Sequence, residues 1–230
     1  MRVLVLAIGA SLAVAAPAVA MEEGAPFHVV RAEVDASRID GADVITWDSE
    51  AWIGGDKNKL WLKSEGDIAD GETESAEIQA LWSRNIAPFW DAQAGVRVDL
   101  EPDSTTYLVL GFQGLAPYQF ETEATAFVSE KGDVSARLRQ SFDLLFTQRL
   151  ILEPHVEINL FGQDVADAGV GAGLSDIDAG LQLRYEITRK FAPYVDFTIT
   201  RDLGETAQIT RSRGDDPEEA AVRAGVRFWF

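Results

Sequence analysis

The sequence predicts an all-β protein: an antiparallel, transmembrane up-and-down β-barrel of about twelve strands. Three observations carry this. The chain ends on an alternating run, Ala220, Val222, Ala224, Val226, Phe228 and Phe230, with Arg223, Gly225, Arg227 and Trp229 between. Such alternation fits a strand with one face in lipid and the other in water. The same period of two recurs along almost the whole chain after Phe27, with charged residues on the alternate face. The connections between these runs alternate short and longer, as in a barrel with tight turns at one end and loops at the other.

The chain has 230 residues, a net charge of −18 and no cysteine. Disulfides, zinc–thiolate sites, iron–sulfur clusters and thiol catalysis are thereby excluded. Strong acidity argues against a nucleic-acid partner, which demands basic patches, and favours a surface or lumen that attracts cations. Arg2, the apolar run Val3–Ala16 and the small residues Ala18-Val19-Ala20 read as a secretory signal peptide over residues 1–20. Cleavage after Ala20 removes one positive charge and leaves −19. Residues 21–26 then form a short periplasmic segment, and residues 27–230 the barrel. No later stretch supplies the roughly 20 consecutive apolar residues of a membrane helix.

The first strand runs from Phe27 to Arg38, with Val30, Ala32, Val34 and Ala36 opposed to Arg31, Glu33 and Asp35. The second covers Val44–Ile53, the third Leu60–Ile68, and the fourth sets Ala76, Ile78, Ala80 and Trp82 against Glu77, Gln79 and Ser83. The fifth is the clearest: Trp90, Ala92, Ala94, Val96, Val98 and Leu100 alternate with polar residues and glycine. The sixth, Thr105–Ala116, is apolar on both faces. The seventh and eighth oppose Ala124, Ala126, Val128, Val134, Ala136, Leu138, Phe142, Leu144 and Phe146 to charged or small polar residues. In the ninth, Leu150, Leu152, Val156, Ile158 and Leu160 face out while Arg149, Glu153, His155, Glu157 and Asn159 face in. The tenth, Ile177–Ile187, the eleventh, Pro193–Arg201, and the closing strand repeat the pattern. The long connections, about 162–175 and 202–219, both fall at the end expected to be extracellular. Aromatics such as Trp82, Phe89, Tyr118, Phe146 and Phe230 gather at the other end as an interfacial girdle. A soluble sandwich would share the alternation, but not the loop asymmetry or the charges on nearly every inward face.

Several stretches resemble the copper resistance protein B family of outer-membrane proteins. They include Trp47-Asp48-Ser49-Glu50-Ala51-Trp52-Ile53-Gly54-Gly55-Asp56, Gly111-Phe112-Gln113-Gly114-Leu115-Ala116-Pro117-Tyr118, Leu145-Phe146-Thr147-Gln148-Arg149 and Ala224-Gly225-Val226-Arg227-Phe228-Trp229-Phe230. The resemblance implies an outer-membrane location in a Gram-negative cell, contact with outer-membrane lipid and a role in copper tolerance. It also implies copper ions as cargo and a periplasmic multicopper oxidase as partner. Relatives often carry a long Met- and His-rich segment before the barrel; here Met21-Glu22-Glu23-Gly24-Ala25-Pro26 stands in that place.

After Ala20 the chain offers one methionine, Met21, and two histidines. Imidazole with carboxylate suits Cu(II), whereas thioethers select Cu(I). His155 is a candidate ligand on the inward face between Glu153 and Glu157, each about 7 Å along the strand. A solvated lumen histidine bonded to a carboxylate is the plainer reading of the same residues. His28, which matches the family's Phe-His pair, offers a second site with Met21 at the mouth, although alternation turns it outward. The rivals are a general cation-preferring pore without a dedicated metal site and an outer-membrane hydrolase using His155 with Ser141 or Ser135. No serine sits in a nucleophile motif, so the expectation is a protein that is not an enzyme. Arg137, Arg139, Arg223 and Arg227 are expected to line one basic strip.

Overall fold

The structure, a computed structural model, describes residues 26–39, 41–166 and 168–230. The signal-peptide reading and Met21 lie outside them. The described chain forms one closed antiparallel sheet. Its segments are β1 (Phe27–Ile39), β2 (Ala42–Gly54), β3 (Asn58–Ala69), β4 (Glu72–Ala87), β5 (Trp90–Glu101), β6 (Thr105–Ala116) and β7 (Phe120–Ser129). They continue with β8 (Val134–Ser141), β9 (Leu144–Leu145), β10 (Leu150–Phe161), β11 (Gly173–Tyr185), β12 (Phe191–Asp202) and β13 (Glu218–Trp229). β8 and β9 are two halves of one crossing, so thirteen segments make twelve strands of the wall. Each pairs with its sequence neighbours, and β1 pairs with β13 to close the cylinder. The closure ends on Val30 and Phe230, which exchange backbone hydrogen bonds of 3.0 and 2.9 Å.

The break between β8 and β9 has a local cause. Phe142 faces Pro154 and donates its N–H to the proline carbonyl at 3.3 Å. Proline has no N–H to return, so the ladder lapses at Phe142 and Asp143 and resumes at Leu144 opposite Leu152.

The side chains are distributed inside out. Leu108, Leu110, Leu60, Val222 and Ile45 are among the many large apolar residues exposed on the outer face. Lys63, Gln79, Ser83, Gln182, Arg184 and Arg227 are buried inside. An antiparallel barrel can sit in lipid this way because the closed sheet pairs its backbone N–H and C=O groups internally, the lapse at Phe142 and Asp143 aside. No helix among the described residues is long and apolar enough to cross a membrane. The connections β2–β3, β4–β5, β6–β7, β9–β10 and β11–β12 are all short, and Phe89, Tyr118 and Phe146 stand exposed beside them. At the opposite end lie residues 162–166 and 168–172 and the segment between β12 and β13. The latter was expected as plain loop but contains a helix, α1 (Gly204–Arg213). It is closed by Gly214 in the left-handed region, and Thr206 is tied to Gly171 and Ser175.

The inward face is not polar throughout, contrary to the sequence expectation. Trp52, Trp61, Leu81, Gly95, Val109 and Phe127 are successive cross-strand partners from β2 to β7. They form one apolar row lining that wall, with Leu81 and Val109 each 1% exposed. Cations cover it: Lys63 lies 5.7 Å from the Trp61 ring, Arg97 5.1 Å and Arg137 5.6 Å from that of Phe127. Charge over an aromatic face is favourable, so the basic residues are held over this wall.

Candidate functional site: the charged lumen

The lumen encloses a cavity of about 940 Å³ lined almost wholly by polar and charged residues. Its carboxylates fall into two groups according to what holds them. At mid-barrel and towards the short-turn end, the partners are cations. Arg139 reaches across the lumen from β8 to Glu65 on β3, with Nη1 and Nη2 donating at 2.6 and 2.5 Å. Its Nε donates to Glu157 at 2.5 Å. Arg137 reaches Glu77 on β4 at 3.3 Å, and Lys63 crosses from β3 to Glu123 on β7 at 2.7 Å. A second node joins Arg227 to Glu33 at 2.6 Å and to Glu153 at 3.0 Å, while Arg184 also engages Glu153. Such bidentate, charge-assisted contacts are the strong kind.

Towards the long-loop end the partners are mostly neutral. Asp35 accepts from Tyr194 at 2.8 Å. Asp67 accepts from Thr46 at 2.8 Å and Ser75 at 2.9 Å. Asp176 accepts from Asn159 at 2.9 Å, Asp178 from Thr200 at 2.6 Å and Asp202 from Thr210 at 2.5 Å. Asp99, paired with Arg97 at 2.5 Å, is the exception. Neutral donors satisfy lone pairs without cancelling charge. That end of the lumen therefore carries a net negative field, offset only in part by Arg97 and Arg223, and between low-dielectric walls such a field concentrates cations.

The proposed ligands are not brought together. His28 pairs with Ile53 and stands exposed on the outer face at the short-turn end, as alternation required. His155 is inside, on β10. Glu153 and Glu157 share its face, but the first is held by Arg184 and Arg227 and the second by Arg137, Arg139 and Asn159. The carboxylates that approach His155 come from later strands instead: Asp196 at 3.6 Å and Asp178 at 3.9 Å from Nε2. Only the strand register links both to His155, and that register is not legible in the sequence. Among the described residues no three histidine, aspartate or glutamate side chains make a ready metal cage. Ser141 is the cross-strand partner of His155, whereas the His155 Nε2 edge faces the two aspartates. The single basic strip is corrected too. Arg137 and Arg139 on β8 engage Glu65, Glu77 and Glu157. Arg223 and Arg227 lie on β13, and Arg227 belongs to the separate Glu33–Glu153 node.

A closed twelve-stranded barrel with an apolar exterior, an aromatic belt and a charged interior defines an outer-membrane β-barrel protein. Solved structures agree on the fold. The NanC porin superposes with a TM-score of 0.60 over 86% of this chain and 98% of the porin at 11% identity, and the KdgM porin with 0.54 over the same shares at 12%. The particular family follows from sequence. The profile described as "Copper resistance protein B precursor (CopB)" matches residues 27–230. Copper resistance protein B of Escherichia coli is 44% identical over 205 residues, covering 89% of this chain and 69% of the relative. A homolog from Pseudomonas syringae pv. tomato (strain ATCC BAA-871 / DC3000) is 44% identical over 187 residues, covering 81% of this chain and 64% of the relative. The chain belongs to the copper resistance protein B family and is an outer-membrane protein.

Proposed function

We propose that the barrel handles copper by drawing Cu(II) into its lumen from the long-loop end, which outer-membrane barrels place outside the cell. The observation that carries this is the sorting of carboxylates: neutral donors hold Asp35, Asp67, Asp176, Asp178 and Asp202, while cations hold the glutamates, most of them nearer the short turns and Glu157 level with its cross-strand partner Asp178. The ion enters a field of its own preference and then meets the crossing arginines, which set a barrier to further passage. Copper is cargo here, not a resident cofactor, and the protein acts by binding and passage and not by catalysis. In this reading, copper leaving the short-turn end would meet a periplasmic multicopper oxidase, and the exposed His28 stands on that side as a secondary contact.

The test is selectivity. Protein reconstituted in planar bilayers under a salt gradient should give a reversal potential of cation-preferring sign. Replacing Asp35, Asp67 and Asp178 with asparagine should shift it towards zero, and a strain carrying that variant should lose copper tolerance. An anion-preferring barrel would refute the reading. Cation preference without any change in copper tolerance would leave a general pore.

A further inference from the structure

Gly180 of β11 stands directly opposite His155 of β10. It has no side chain, so the imidazole lies across it: a Cβ at position 180 would fall 2.4 Å from Nε2 and 2.5 Å from Cε1. The ring thereby passes over its own hairpin partner and reaches β12. There Nε2 stands 3.6 Å from Asp196 Oδ2, with Asp178 Oδ1 at 3.9 Å. Both separations exceed hydrogen-bond range. A protonated histidine between two carboxylates would close to about 2.8 Å on one of them. Two donors sharing one ion through bonds of about 2.1 Å stand about 3.6 Å apart when the angle at the ion is about 120°, and Nε2 and Oδ2 are separated by 3.6 Å.

A second observation is independent of those distances. Asp196 is only 6% exposed, yet its Oδ1 receives no hydrogen bond from any described residue. Thr198, two residues along and 3% exposed, has an unbonded Oγ1. Both residues line the lumen cavity. Buried polar atoms are nearly always partnered, so two orphan oxygens on the same face of β12 mark a wall open to a partner that is not protein. The charges around it are Asp35 and Asp178, with Arg223 as the cross-strand partner of Asp196. Glu153 and Glu157 are already occupied by arginine.

We infer that His155 Nε2 and the Asp196 carboxylate form a two-ligand station for a divalent cation, Cu(II) in preference to Zn(II), with water completing the shell and Asp178 and Thr198 holding that water. Nitrogen and carboxylate donors rank copper highest among the first-row divalent ions. The station rests on the reading of the lumen as a copper-attracting space and places a stop at mid-barrel, on β10 two residues nearer the short turns than Glu157, which Arg137 and Arg139 hold.

The test uses the purified barrel in detergent, titrated with Cu(II) against Zn(II) as competitor, with electron paramagnetic resonance at one equivalent. The expected spectrum shows nitrogen coupling from one imidazole. H155N should abolish that coupling. D196N should weaken binding at least tenfold, and so should G180A, which keeps both ligands but displaces the ring. Heat-modifiable electrophoretic mobility checks that each variant is folded. Imidazole coupling that survives H155N, coupling lost in H28N instead, or affinity unmoved by both H155N and D196N overturns the inference. Selectivity in bilayers tests the wider reading separately. A barrel that prefers anions yet keeps the His155-dependent spectrum removes that reading and leaves the station; a cation-preferring barrel without the spectrum does the reverse.

Discussion

Replacing Arg139 with alanine tests whether the lumen is braced or merely decorated with charge. This guanidinium makes three contacts of 2.5–2.6 Å, to Glu65 across the lumen and to Glu157 on the adjacent strand. The Arg139 side chain is 29% exposed and those of Glu65 and Glu157 are 18% and 25%, so water reaches the cluster in part. Breaking a fully buried pair costs about 3–5 kcal/mol, whereas an exposed pair is worth under about 1 kcal/mol. Arg137 stands 3.6 Å from Glu65 and 3.4 Å from Glu157 and takes up part of the orphaned charge. The expected loss for R139A is therefore near the lower bound, about 3 kcal/mol, roughly two orders of magnitude in the folding equilibrium. Reversible urea unfolding in lipid vesicles reads this directly. In a double-mutant cycle with E65A, the pair should lose less than the sum of the singles by about 1–2 kcal/mol. A single-variant loss below about 1 kcal/mol, or strict additivity, would show that the crossing is solvated and carries no structural load.

Two further outcomes bear on the fold. Leu110 is 65% exposed near the middle of β6; L110R should destabilise the barrel by about 2–4 kcal/mol in a bilayer, and a neutral result would mean that this face does not meet lipid. Gly66 leaves room for Trp47, since a Cβ there would fall 2.3 Å from the indole Cη2 and 2.4 Å from the Ser75 carbonyl. G66A should therefore cost about 1–3 kcal/mol by overpacking, measured by the same urea titration; an unchanged midpoint would refute that packing.

The strands were legible because a period of two with charge on one face has few other solutions. Trp90–Glu101 shows it: of the predicted outward set Val96 and Leu100 are exposed and none is buried, while Gln93 on the other face is buried. Loop asymmetry was legible for the same reason. Partners across the lumen were not. Arg139 and Glu65 are 74 residues apart, and nothing local ties them; their meeting depends on barrel closure and stagger. The neighbours of His155 were missed in the same way, because Glu153 and Glu157 are adjacent on the strand while Asp178 and Asp196 arrive through two hairpin registers and the gap at Gly180. The apolar inner row was hidden because Trp61, Leu81, Val109 and Phe127 each look like an ordinary strand aromatic or aliphatic. Only the cross-strand register reveals them as one line. Gly204–Arg213 is so weakly amphipathic that no helical pattern shows in its residues; its helix is fastened by the Thr206 contacts to a distant segment.

The seam between β1 and β13 has a consequence for biogenesis. β1 finds its second neighbour only in β13, so until Phe230 has been made the wall has two open edges. A half-built cylinder with bare edges and a greasy outside cannot travel safely through water. Export must therefore rely on an escort that shields β1 until its mate arrives, and shortening the chain by even a few terminal residues should jeopardise insertion well before it alters any chemistry inside.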